Sequence, residues 1–167
     1  VVWAVGTTES GLVWTWRWDP VGGAPDERLW GIPDATDLSG RSIVVQPDGR
    51  PVLGGEHLVS GTTDFDLWCA RLVADGTTSD PTFGSFGLVV HGFDVAPPGF
   101  DDDYLLDLAL DSEGRIVLLA ETEIGAGTFD SASDLGFVRF DSAGDLDPGF
   151  GTGGARTLDF LPGTGRD

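Results

Sequence analysis

The stretch DLSGRSIVVQPDGR, residues 37–50, returns without a gap as DDYLLDLALDSEGR at residues 102–115. Each copy runs on into a second apolar segment, PVLGGE at 51–56 and IVLLAE at 116–121. A third follows, DLWCARL at 66–72 and DLGFVRF at 134–140, then a glycine-containing turn and DPTFG at 80–84 or DPGFG at 147–151. A last short apolar run, such as LVV at 88–90, closes the unit. Working back towards the start, VVWAVG at 1–6 matches the second segment and LVWTWRW at 12–18 the third. ERLWG at 27–31 keeps the acid, the aromatic and the glycine of the DPTFG loop. This first unit has no front portion, and together with the absence of an initiator Met it reads as a cut or processed start.

Each full unit holds four short strand candidates joined by turns. The Pro47-Asp48-Gly49-Arg50 and Ser112-Glu113-Gly114-Arg115 segments lie between apolar runs and read as tight hairpins, with Gly49 and Gly114 at positions that favour positive φ. Ile43-Val44-Val45 is apolar on both strand faces, as in a sheet covered on both sides. A fixed repeat of four antiparallel strands whose faces are buried by neighbouring units is the logic of a propeller blade. The expected class is therefore all-β: tandem four-stranded antiparallel blades forming a β-propeller or partial propeller. The units run 1–34 (degenerate), 35–100 and 101–167, the last with the start of a following strand. Propellers close with about four to eight blades, so this chain needs the remaining blades of a longer chain or copies of itself, and a fragment is the favoured expectation.

With 26 Gly and 10 Pro the composition is turn-rich, and it favours β over α. The formal charge is −19, from 28 acidic residues against nine basic ones, all Arg. That balance argues against nucleic acid and against anionic membranes, which need a positive footprint. Cys69 stands alone, which excludes a disulfide framework and a cysteine metal site, and it falls in an apolar strand pattern that suits a core thiol. No apolar run is long enough for a membrane-spanning helix, and no targeting signal is visible.

Gln46–Arg50 as QPDGR, Asp66–Leu72 as DLWCARL and Asp80–Gly87 as DPTFGSFG together resemble the bacterial delta-60 repeat family. DLGFVRF at 134–140 and DPGFGTGG at 147–154 are closer still. The resemblance covers residues 35–160 well and 1–34 poorly, where Leu12 replaces Asp66 and Asp134 and extra tryptophans occur. It implies a propeller-forming repeat in a large secreted or cell-surface bacterial protein with no generally assigned activity.

Three constellations stand out as candidate sites. Trp14, Trp16 and Trp18 alternate along one strand and so share a face. They are either an aromatic platform for sugar rings or core, the latter favoured because Ala70, Leu72, Val138 and Phe140 match two of them. Arg17, Arg71 and Arg139 recur once per unit and read as structural, with Asp80 and Asp147 as candidate partners; Phe83 and Phe150 read as repeated core rings. Asp101, Asp102 and Asp103 form the densest acid cluster. Calcium takes six to eight oxygen ligands, but the D-x-D-x-D-G spacing is missing and a solvated loop is the favoured reading. His57 and His91 occupy different repeat positions, and no nucleophile, zinc or phosphate-loop motif is present.

The expected function is accordingly a non-catalytic scaffold or interaction surface of an extracellular or envelope bacterial protein, requiring no cofactor. A carbohydrate- or calcium-binding module is the alternative. A hydrolase completed by blades outside this sequence comes third.

Overall fold

A computed structural model describes residues 1–31, 36–93, 102–123 and 133–158. Among these residues the fold is all-β, with eleven strands and no helix. The strands are β1 Val2–Thr7, β2 Val13–Trp18, β3 Asp26–Trp30, β4 Thr36–Val45, β5 Pro51–Leu58 and β6 Phe65–Arg71. They continue with β7 Leu88–His91, β8 Asp103–Leu110, β9 Ile116–Glu123, β10 Ser133–Phe140 and β11 Ala155–Leu158. They form three antiparallel sheets of order β1-β2-β3, β4-β5-β6-β7 and β8-β9-β10-β11.

Turn chemistry explains the hairpins. Arg50 O accepts from Gln46 N–H at 2.9 Å and Gly49, at φ +88°, closes the turn onto Gln46 O at 2.8 Å. Gly114, at φ +77°, does the same between Asp111 and Arg115. Beyond the turns, one of the two register shifts in β4 recurs at the same place in β8. Gly40 pairs with Gly55 and Ser42 with Gly54, leaving Arg41 as the extra residue, while Leu105 pairs with Ala120 and Asp107 with Leu119, leaving Leu106. Such a bulge bends and twists the strand, so the two full units share a local distortion as well as a strand count.

The first sheet departs from the sequence-based expectation. Glu27–Trp30 lies in β3 rather than in a DPTFG-type loop. Trp30 pairs with Val13, as His91 of β7 pairs with Leu67 of β6. β3 is thus the counterpart of β7, and the long loop that carries Asp80 and Phe83 has no equivalent between β2 and β3. Backbone pairing decided the matter over a similarity of residue types.

Two cores lie between the sheets. Val13, Leu38, Leu53, Trp68 and Leu72 are buried between the first and second. Val52, Leu67, Cys69, Phe83, Leu105, Leu108, Ile116, Leu118, Val138 and Phe140 are buried between the second and third. Val52 and Leu53 are chain neighbours yet belong to different cores, because successive strand residues point to opposite faces. The second sheet is therefore covered on both faces. No helix among the described residues is long and apolar enough to cross a membrane.

Candidate interaction surface

The two junctions between sheets repeat the same polar contact. The Gly40 N–H of β4 donates to Thr7 Oγ1 of β1 at 2.9 Å. The Leu105 N–H of β8 donates to Glu56 Oε2 of β5 at 3.3 Å. Strand pairing makes Thr7, Glu56 and Glu121 counterparts, since Gly6, Gly55 and Ala120 lie opposite Trp14, Trp68 and Gly136. Glu56 is almost fully buried, and its other oxygen accepts from Ser39 Oγ and from Arg41 Nε at 2.7 Å. A buried carboxylate held by several donors costs far less than an unpaired one. Sequence reasoning passed over these residues. The signal was an acid ending an apolar run at both Glu56 and Glu121.

Around Arg71 the second junction is charged and dry. Arg71 is 1% exposed; its Nε donates to Asp80 Oδ2 at 2.9 Å, and its other nitrogens reach Thr82 Oγ1 at 3.0 Å and the Ser142 carbonyl of the third unit. It lies over the Phe83 ring, 4.8 Å from the centroid. Arg50 adds a second cation on Asp80 at 2.6 Å. Burial works to raise the Asp80 carboxyl, but the Thr82 hydroxyl and N–H, Arg50 and the charge of Arg71 hold it well below the usual carboxylate range. Burial and the neighbouring Arg50 charge lower Arg71 from the ordinary arginine value, with Asp80 pulling the other way.

The third unit rebuilds this cluster in a wetter setting. Arg139 contacts Asp147 through two nitrogens at 2.8 Å and lies 4.7 Å from the Phe150 centroid. Gly149 N–H, opposed by burial and helped by Arg139, lowers the Asp147 carboxyl. Phe150 is only half-buried, unlike fully buried Phe83, which corrects the expectation that both are core rings. The reason lies in the neighbour: Phe83 packs at the turn around Gly144 of the next unit, and no described residue offers Phe150 such a turn. Arg17 differs again. No DPTFG-type loop follows it, its Nε is buried without a hydrogen-bond partner, and it lies over the Trp3 ring, 5.8 Å from the centroid.

Trp14, Trp16 and Trp18 share the face of β2 directed away from the second sheet, since Val13 and Thr15 are buried on the other side. Trp16 and Trp18 stack at 6.2 Å with 23° between their planes, and Trp18 is 40% exposed. Their counterparts Trp68 and Leu72, and Val138 and Phe140, are buried because a preceding sheet covers them. The tryptophans thus sit on an open face and not in the core between described sheets.

Of the acid cluster, Asp101 lies outside the described residues. Asp102 accepts from Phe65 N–H at 3.0 Å and from the Tyr104 hydroxyl at 3.1 Å. Asp103 is buried and accepts from Phe93 N–H at 2.7 Å. Among the described residues no group of three or more His, Cys, Asp or Glu side chains is arranged to hold a metal ion. Cys69 is fully buried, and burial pushes its thiol up. His57 and His91 stand on different strands, β5 and β7; His91 meets the Phe93 ring edge-on at 4.8 Å.

No protein-family model and no curated protein sequence matches the chain.

Proposed function

We propose that the chain is a run of β-propeller blades of the delta-60 repeat type, serving as a non-catalytic scaffold and interaction surface in an extracellular or envelope bacterial protein. One observation carries the reading: both junctions use the same contact, from the N–H ahead of the bulge in one sheet to a side-chain oxygen of the sheet before it. A contact that repeats with a fixed relation between neighbours is how a solenoid or propeller propagates. The acid-rich surface suits a secreted protein. Electron cryomicroscopy of the native full-length protein tests the proposal. A ring of about four to eight such sheets supports it, and an open, unclosed stack or a different association of the sheets overturns the propeller.

A second reading is favoured by the exposed Trp16–Trp18 stack, which offers an aromatic platform for a sugar ring. A glycan array with no hits removes it.

A further inference from the structure

We infer that the groove between the first and second sheets, on the side of their outer strands β3 and β7, binds a small, uncharged and largely hydrocarbon molecule, with Phe86 as the exposed wall of its mouth.

The groove has a volume of about 440 Å³, within the range of sites that hold small molecules. Its walls are the facing sides of two sheets of this chain, so it lies inside the run of units, away from the outer faces of the first and third sheets. Val13, Leu53, Trp68 and Leu72 form a buried floor, and Trp30, Leu88 and Phe86 rise towards solvent. No lining residue is ionisable, although the chain carries a net charge of −19. Both indole nitrogens are already used: Trp30 donates to Thr15 Oγ1 at 2.8 Å, and Trp68 donates to the Ser39 and Glu56 carbonyls at 3.1 Å each. The tryptophans therefore offer the groove carbon only. A charged ligand would lose its hydration here without a partner, and a sugar ring would find too few groups for its hydroxyls. Two side-chain hydroxyls remain, those of Ser79 and Ser85, and neither makes a hydrogen bond among the described residues. They suit a ligand with a single polar end.

Phe86 supplies an independent observation. It is 88% exposed and stands at φ +56°, where a bulky side chain is an outlier. Ser85 N–H donates to Leu88 O at 2.8 Å across Phe86 and Gly87, both at positive φ. That is the pattern of a type I′ turn, which favours glycine or asparagine. The third unit builds the same turn, with Thr152 N–H to Ala155 O at 2.8 Å, and places Gly153 and Gly154 in it. The second unit thus carries a strained and barely buried phenylalanine where its repeat uses glycine. Neither backbone preference nor core packing accounts for the ring. Contact with an apolar ligand in the groove beside it does, because strain kept against local preference is characteristic of binding sites.

Titration of the full chain with N-phenyl-1-naphthylamine, a neutral probe that fluoresces in apolar surroundings, tests the inference. Wild type is expected to bind the probe and to shift the NMR signals of the Trp30 and Trp68 indole N–H groups, leaving those of Trp16 and Trp18 in place. Phe86→Gly, which copies the third unit, is expected to weaken affinity by at least about 10-fold, the loss of one aromatic wall. Its Tm should stay equal or rise, because the strain at positive φ is relieved. Ala70→Leu, which fills the groove from its floor, should weaken binding as well. Trp18→Ser, on the outer face of the first sheet, should leave it unchanged. No binding by wild type, wild-type affinity in either groove variant, or a loss confined to Trp18→Ser overturns the inference. A fall in Tm for Phe86→Gly does so too, since the ring would then be holding its own loop in place.

Discussion

Three arginines at one repeat position, in three environments, form a graded stability series. Arg71→Ala removes a buried cation with bonds to Asp80, Thr82 and the Ser142 carbonyl, along with its packing on Phe83. Breaking one side of a buried pair costs about 3–5 kcal/mol. Arg50 remains on Asp80 at 2.6 Å, so the expected loss lies near the lower end, about 3 kcal/mol. Arg139→Ala removes the same pair, but its side chains are 16% and 14% exposed against 2% and 7% for Arg71 and Asp80. Solvent screens it, and about 1–2 kcal/mol is expected. Arg17→Ala breaks no salt bridge among the described residues and loses a distant ring contact and a weak Coulombic attraction to exposed Asp75, for about 0.5–1 kcal/mol. At about 2–4 °C per kcal/mol for a chain of this size, Arg71→Ala lowers Tm by about 6–12 °C and Arg17→Ala by about 1–4 °C. Urea unfolding followed by tryptophan fluorescence gives the order directly, provided m is unchanged. An Arg17→Ala loss equal to that of Arg71→Ala, or an Arg71→Ala loss under about 1 kcal/mol, would refute the reasoning.

The paired rings separate in the same way. Phe83→Ala should cost about 3–5 kcal/mol, with Phe150→Ala costing less than half as much; equal losses in urea melts contradict the burial difference. Gly49→Val and Gly114→Val have room, since the nearest atoms to a Cβ are 3.8 and 3.9 Å away, so the cost is that of a β-branched residue at positive φ, about 1–3 kcal/mol. Guanidinium melts that show no loss would mean the turns relax to another form. Acid should destabilise the fold. Asp80, Asp111 and Asp147 all have lowered folded-state pKa values, so the unfolded chain takes up protons first, at its ordinary value of about 3.9. Their contribution is complete above that value and is lost as pH falls below it. Melting temperatures measured from pH 7 to pH 2 should show a shallower acid limb for Asp80→Asn than for wild type, and parallel limbs would contradict the assignment.

What could be read from sequence was whatever the backbone repeats. The apolar runs placed strands at 43–45, 51–56 and 66–72, and Gly49 and Gly114 located the turns, because φ sign and strand period are local properties. The bulges at Arg41 and Leu106 were hidden, since two units that share an extra residue align without a gap. Trp30 was misplaced because an acid, an aromatic and a glycine in order resemble the DPTFG loop, while strand pairing is a long-range choice. The common face of Trp14, Trp16 and Trp18 follows from alternation alone, but whether it is covered depends on a neighbouring sheet, about which the strand itself carries no information. Glu56 was passed over for a related reason. An acid among valines and leucines reads as a strand end until the N–H it accepts, Leu105 from a different sheet, is known.

The first unit makes the same point in three dimensions. At the second junction the space beside the turn glycine, Gly144, is filled by Phe83, delivered by the long loop after β6. The first unit has no such loop, yet the matching space beside Gly76 is filled by Trp3, whose ring would meet a Cβ there at 2.2 Å. Arg17 then lies over Trp3 as Arg71 lies over Phe83. An aromatic ring has thus been kept between arginine and glycine although it comes from β1, about eighty positions away in the chain from Phe83. The turn glycine leaves a hole that any well-placed ring can fill, and close packing requires that something fill it. Repeat identity in this protein therefore resides in the shape of the junction more than in any one residue. The third sheet repeats the ring side of that junction, with Phe150 under Arg139 as Phe83 lies under Arg71.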